Sequence, residues 1–143
     1  MRPTETSKNV AEGEMLRFNR KNRDGLKSFL YNSHIHDAEI TETSYTHGDH
    51  SITISAYNEY YGDRYSFTFR NVRLFLITNA KPERGNVIIS LTLEDDLTYL
   101  RERVPSSCRW GDTPLYLLFQ MLSGDEFHIL ADEVLAECSC DRQ

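Results

Sequence analysis

Four of the five histidines lie within residues 33–50, SHIHDAEITETSYTHGDH. His34 and His36 are two positions apart, and Asp37 follows them directly. Residues two apart on a strand share one face, and imidazole and carboxylate groups are common ligands of zinc and iron. These three residues therefore form a candidate metal site, which would belong to a small metal-dependent enzyme.

The other two histidines of this stretch argue against a larger metal site. His47 and His50 flank the turn-like Gly48-Asp49. On an extended strand that rises ~3.3 Å per residue, they would lie roughly 30 Å from His34, which is too far for one coordination sphere. We therefore expect no bound metal and no cofactor, and interpret the histidines as polar edge residues or as part of a partner-contacting loop.

Charge is distributed unevenly along the chain. The sequence has 16 Lys+Arg and 22 Asp+Glu, a net charge of -6, which disfavours general binding to nucleic acid or to an anionic membrane. Residues 15–31 are mainly basic, whereas residues 125–143 are mainly acidic. An acidic surface would speed encounter with a basic protein partner, although the same acids could serve solubility alone. The candidate acidic contact residues are Asp125, Glu126, Asp132, Glu133 and Glu137.

Tyrosines cluster around one predicted turn. Tyr57, Tyr60 and Tyr61 surround this turn, and tyrosine is enriched at protein interfaces. These residues are candidate apolar anchors for a protein partner. Ordinary cross-strand pairing is the alternative interpretation.

Other catalytic patterns are weaker. Consecutive acids at Glu94, Asp95 and Asp96 are typical of a helix N-terminus, and no glycine-rich nucleotide-binding loop is present. Cys108 could pair with His128 as nucleophile and base, but nothing in the sequence brings them together. We therefore expect no catalysis.

Cysteine usage and hydropathy indicate the compartment. The chain has three cysteines, an odd number that favours reduced thiols over a disulfide framework. The N-terminal residues lack the apolar core of a signal peptide, and no apolar run is long enough to span a membrane. We expect a soluble, cytoplasmic protein.

The elements that would position these residues are mostly strands. Alternating apolar residues, with glycine-containing turns between them, predict an antiparallel sheet of at least four strands within residues 35–94. The expected inward-facing sets are Ile52, Ile54 and Ala56; Tyr65, Phe67 and Phe69; Val72, Leu74 and Leu76; and Val87, Ile89, Leu91 and Leu93. Because the parity changes between the second and third sets, we predict a bulge or bend at residues 70–72 that restores one buried face.

Short helices and a final hairpin complete the predicted fold. Apolar residues at helical spacing predict one helix around Leu26 and Leu30, and a second around Leu97 and Leu100 that Asp95 or Asp96 would cap. Residues 115–122 are apolar at both parities and fit either a strand or a helix. We predict a flexible tail over residues 1–13 and a single α+β, mostly β domain over residues 14–143. Its antiparallel meander would carry one or two short helices, and either stay open or close into a sandwich or partial barrel.

One sequence resemblance bears on function. The string His36-Asp37-Ala38-Glu39-Ile40, followed by alternating strands and Phe69-Arg70-Asn71-Val72, resembles small bacterial proteins with a His-Asp-x-x-Ile … Phe-x-x-Val layout. Some of these are similar to immunity proteins of polymorphic toxin systems. The resemblance spans residues 34–93 and implies a cytoplasmic, noncatalytic binding module. A metal-dependent enzyme and a homo-oligomeric structural protein remain the alternatives, the latter because open sheet edges invite pairing.

Overall fold

A computed structural model describes residues 15–78, 87–105 and 114–140. Within them, the chain forms seven strands and two short α-helices. The elements are β1 (Met15–Asn19), α1 (Arg23–Tyr31), β2 (Glu39–Thr46), β3 (Ser51–Asn58), β4 (Asp63–Thr78), β5 (Ile88–Glu94), α2 (Thr98–Arg101), β6 (Leu115–Met121) and β7 (Glu126–Cys140). A 3-10 turn, Arg20–Asn22, joins β1 to α1. The predicted tail lies outside the described residues.

All seven strands belong to one antiparallel sheet, as predicted. Six of them follow the order β2-β3-β4-β7-β6-β5, and β1 lies off this path. The expectation of one sequential meander is wrong, because β5 pairs with β6 and not with β4. The long β4 and β7 pair from end to end and join two three-stranded meanders. β1 adds to the sheet beside residues 133–137 of β7. β4 buries more apolar surface by pairing with the long β7 than it would by pairing with the shorter β5.

The sheet stays open, but its two edge strands meet at one end. An isolated antiparallel bridge joins Glu39 to Val87. Next to it, Asp37 N donates to Ile88 O and Ile88 N donates to Ala38 O, each at 2.8 Å. These bonds fix the loop between α1 and β2, and therefore fix the position of the histidines within it.

The main core lies between one face of the sheet and α1. Ile52, Ile54, Phe67, Phe69 and Phe119 are fully buried there. The helix contributes Leu26 and Leu30, which are also buried, as the helical spacing predicts. Each such side chain stabilises the fold by about 1.5–3 kcal/mol through burial.

The parity change in β4 has a different result from the predicted one. Asn71 has a positive φ of 54°, and the register with β7 shifts between Val72 and Leu74. Val72 packs against the main core, whereas Leu74 and Leu76 pack in a second cluster under α2. The prediction of an irregularity was right to within two residues, but the single buried face was wrong. This end of the sheet has apolar residues on both faces, and α2 covers the second face.

A second bulge, in β5, changes the expected inward-facing residues. The register with β6 shifts between Ile88 and Ser90, so that Ile88, Leu91 and Leu93 are buried. Ile89, predicted to face inward, is 44% exposed. Strict alternation from Val87 fails because a bulge adds one residue to the strand.

The C-terminal elements resolve two further predictions. Residues 115–121 form a strand, and β6 and β7 make a hairpin whose turn contains Gly124 at φ 97°. The predicted second helix is only four residues long. Asp96 accepts hydrogen bonds from Thr98 N at 2.9 Å and Thr98 Oγ1 at 2.6 Å, which lowers the pKa of its carboxyl. Neither helix of the described residues is long and apolar enough to cross a membrane.

Candidate functional site, a cavity beside His34

A cavity of about 480 Å³ opens between β1, α1 and the ends of β4 and β7. Leu16, Phe18 and Phe29 form its apolar walls. Polar groups gather at one end, where Asp63 and His34 line it. A concave, mostly apolar site with a few convergent polar groups is typical of ligand and side-chain binding pockets.

The polar end is built on a buried carboxylate. His34 Nδ1 lies 2.5 Å from Asp63 Oδ2, and the Asp63 side chain is only 9% exposed. The Tyr65 hydroxyl accepts a hydrogen bond from His34 N at 2.6 Å and donates one to Asp63 Oδ2 at 3.4 Å. Among the residues that the structure describes, Asp63 Oδ1 accepts no hydrogen bond. The carboxylate therefore keeps an acceptor for a further donor.

The same environment keeps its acidic neighbours protonated. Burial, followed by the field of Asp63, raises the pKa of the Cys138 thiol to about 11. Burial also raises the pKa of Tyr65 far above its ordinary value. A histidine paired with a carboxylate is the arrangement of a base and its orienting group, but a nucleophilic cysteine needs a lowered pKa. The Cys138 thiol is therefore poorly suited to nucleophilic catalysis at neutral pH.

Asn58, which is 1% exposed, positions the loops around the cavity. Its Nδ2 donates to the carbonyl oxygens of His34 at 2.8 Å and His36 at 3.1 Å. Its Oδ1 accepts from the backbone N–H groups of Tyr60 at 3.0 Å and Tyr61 at 3.2 Å. One buried side chain thus joins the histidine loop to the β3–β4 turn.

One of the three predicted tyrosines, Tyr61, contacts a residue that lines this cavity. Tyr61 stacks on the His34 ring with centroids 3.7 Å apart and planes at 9°, and Tyr60 contacts Tyr61 edge-on at 5.0 Å. Tyr60 is 83% exposed. Tyr57 is half-buried on β3, where the Arg64 guanidinium lies 4.6 Å from its ring centroid. The structure therefore places Tyr61 against His34, which lines the cavity, Tyr60 against Tyr61, and Tyr57 on the neighbouring strand.

The three candidate metal ligands do not share a strand face. His34, His36 and Asp37 lie in the loop between α1 and β2, so the spacing argument does not apply. His34 contacts Asp63, while His36 Nδ1 lies 2.5 Å from Ile89 O and Asp37 is exposed with φ 73°. No group of three metal-binding side chains occurs within residues 15–78, 87–105 and 114–140. The expectation of no bound metal stays a prediction, which elemental analysis of the purified protein would test.

The acidic residues of β7 are placed less freely than the sequence suggests. Asp125 is buried, 6% exposed, so it cannot belong to a contact surface without a rearrangement. Glu126 bonds to the ring of His128, and Glu137 is half-buried in the middle of the sheet. The acidic surface that a partner could contact is therefore smaller than a surface made of all five acids.

Arginines from both neighbouring strands offset two more of these acids. Asp132 Oδ2 lies 2.8 Å from Arg73 Nη2, and Asn71 also donates to it. Glu133 lies 3.4 Å from Arg17 and 3.7 Å from Arg70. The basic segment forms β1 and the acidic segment forms β7, and their pairing turns the charge asymmetry of the sequence into local ion pairs.

A second polar cluster, on the opposite face of the sheet, centres on a buried histidine. His128, 1% exposed, bonds to the Tyr116 hydroxyl at 2.7 Å and to Glu126 Oε1 at 3.0 Å. Tyr99 of α2 stacks on it with centroids 4.9 Å apart, and Arg103 lies over Tyr99. Both ring nitrogens of His128 have partners, so we interpret this histidine as structural. Cys108, its hypothetical partner, lies outside the described residues.

Sequence reasoning missed Asn58, Asp63 and Tyr65 as site residues. It places Tyr65 on the inward face of the sheet and assigns no functional role to Asn58 or Asp63. The sequence did carry a signal, because polar residues stand at the end of β3 and at the start of β4. Gly62 lies between them with φ 76°, which allows the tight turn that brings them together. Comparisons with protein-family models, curated proteins and solved structures find no match to the chain. Function is therefore inferred from the geometry of the site itself.

Proposed function

We propose that the chain is a noncatalytic protein-binding module of the immunity type, which occupies a partner protein through Tyr60, Tyr61 and the adjacent cavity. The observation that supports this is an exposed pair of tyrosines beside an open, apolar cavity. Binding energy at protein interfaces concentrates in tyrosine, tryptophan and arginine residues and in the pockets they meet.

Preorganisation supports the same proposal. The Tyr61 ring is held by stacking on His34, and Asn58 fixes the backbone of both tyrosines. Side chains that are ordered before binding lose less conformational entropy when the complex forms. The raised pKa of Cys138 favours a binding role over thiol chemistry in the same cavity.

The chemistry of the partner follows from charge. A net charge of -6 would steer a basic protein toward the chain and repel nucleic acid. Because Asp132 and Glu133 are paired with arginines, the acids of β7 would tune the association rate and contribute little to affinity. We further propose a cytoplasmic location, which suits an odd number of cysteines in the sequence.

Affinity capture with matched variants tests the proposal. Tagged wild-type chain and the double variant Tyr60→Ala/Tyr61→Ala would be used to capture proteins from the cells of origin. Tyr31→Ala is the control, because Tyr31 is 88% exposed on α1 and is not among the residues that line the cavity. We expect a partner that wild type and Tyr31→Ala retain and the double variant loses. Retention of every captured protein by the double variant would contradict the proposal.

A further inference from the structure

We infer that the cavity binds a basic side chain of the partner protein, an alkyl chain that ends in an ammonium or guanidinium group and pairs with Asp63. This inference rests on the proposed function and names the chemistry that its surface recognises. The carboxylate would bind the cation, and the apolar walls would bind the alkyl stem.

The Asp63 carboxylate has one oxygen that accepts no hydrogen bond from the described residues. Asp63 is 6% exposed as a residue, and its donors, His34 Nδ1 and the Tyr65 hydroxyl, both bond to Oδ2. Burial makes a carboxylate oxygen costly to leave without a donor, and a ligand donor at Oδ1 would offset that cost. No lysine or arginine is among the described residues that line the cavity, and His34, which does line it, bonds to Oδ2 and leaves Oδ1 for a further donor.

The apolar walls of the cavity suit the alkyl stem of a basic side chain. Leu16 and the rings of Phe18 and Phe29 line the path to Asp63. Lysine and arginine bury their methylene stems against apolar surface, and their charged ends interact favourably with aromatic faces. A volume of about 480 Å³ is ample for one extended side chain. An acidic ligand would face Asp63 instead, and like charges repel at short range.

Binding of a minimal probe tests the inference. The ¹⁵N-labelled full chain would be titrated with Nα-acetyl-lysine methylamide, and in parallel with the norleucine analogue, which lacks the ammonium group. We expect saturable shifts of the Tyr65 and Cys138 amides with the lysine probe, and at least about tenfold weaker binding of norleucine, because a hydrogen bond to a charged group is lost.

Matched variants assign the effect to Asp63. Asp63→Asn should weaken lysine binding at least about tenfold, whereas Asp24→Asn makes the same change of charge on the exposed face of α1 and should leave the affinity unchanged. If Asp63→Asn does not fold, Ser28→Phe gives the second measurement. Ser28 is exposed and lines the cavity, so a phenylalanine there should block the probe without altering the core.

The outcomes separate this inference from the proposed function. Equal binding of norleucine and lysine, an unchanged affinity in folded Asp63→Asn, lysine binding retained by Ser28→Phe, or the lack of any saturable shift would each overturn it. If Asp63→Asn keeps the captured partner that Tyr60→Ala/Tyr61→Ala loses, the cation site is wrong and the binding function stands. If all variants keep it, the proposed function is wrong.

Discussion

At the scale of single residues, the site depends on buried polar groups whose hydrogen bonds cross between elements. Asn58 makes four hydrogen bonds. Its amide nitrogen donates two to the histidine loop, and its amide oxygen accepts two from the β3–β4 turn. The amide thereby uses both of its donors and both of its oxygen lone pairs. Aspartate could accept from the two tyrosine N–H groups but could not donate to the two histidine carbonyls. The position therefore requires an amide and not merely a polar residue.

We predict that Asn58→Ala lowers the free energy of unfolding by at least about 2 kcal/mol, because several backbone groups lose their buried partner. Urea denaturation would measure this. Asn32→Ala is the control, since Asn32 is exposed and its Nδ2 bonds to Ser28 O at 2.9 Å, so its loss should cost below about 1 kcal/mol. Equal costs for the two variants would show that Asn58 does not hold the loops together.

The thiol of Cys138 predicts a pH dependence of stability. Its pKa rises from 9.0 to about 11 on folding, so between these values the unfolded chain binds fewer protons than the folded chain. The free energy of unfolding should therefore fall as the pH rises from 9 toward 11, by less than about 1.4 kcal/mol per pH unit from this group, because solvent screens the half-buried thiol. Cys138→Ala should flatten the fall between pH 9 and 10, before most unfolded tyrosines ionise.

Chemical denaturation at half-unit pH steps measures this slope. Ser139→Ala, at the neighbouring position of β7, should keep the wild-type slope. If Cys138→Ala and wild type lose stability in parallel over this range, the thiol is not the group responsible.

At the scale of elements, a strand could be predicted from the sequence where the strands that pair with it are close in sequence. β3 and the first half of β4 could be predicted residue by residue, because a strand with one buried face alternates strictly. The bulge in β5 could not, because VIISLTLE alternates without a break from Val87 and only the pairing with β6 places Ile88 inside. The cavity could not either, because it requires β7 to pair with β1 and β4, far away in sequence.

The parity switch in β4 leads to an element-scale prediction. Asn71 has φ 54°, where asparagine and glycine are tolerated and β-branched residues are strained. Asn71→Val should lower the free energy of unfolding by about 1–3 kcal/mol. Asn71→Gly relieves any strain but loses the hydrogen bond to Asp132, so its net effect should stay within about 1 kcal/mol. Thermal and urea unfolding of both variants would check the difference, and equal stabilities would show that the backbone conformation is not the constraint.

At the scale of the whole molecule, β7 joins the two halves of the sheet. It pairs with β4 along its length, with β6 over its first half and with β1 over its second half. β2, in contrast, is an edge strand in which Ile40 alone of the eight residues is buried. Long exposed edge strands invite pairing with another chain, which is the physical basis of the homo-oligomeric alternative.

Hydrogen exchange measures this contrast directly. We expect the amides of β7 and the paired part of β4 to exchange slowest, because their opening requires the sheet to separate, and the β2 amides that point away from β3 to exchange at nearly the rate of an unfolded peptide. If the chain acts as a monomer toward its partner, the protection of β2 should be the same at low and high protein concentration. Protection of β2 that grows with concentration, while that of β7 stays constant, would mean that two copies pair through this edge, and it would favour the homo-oligomeric function over the proposed one.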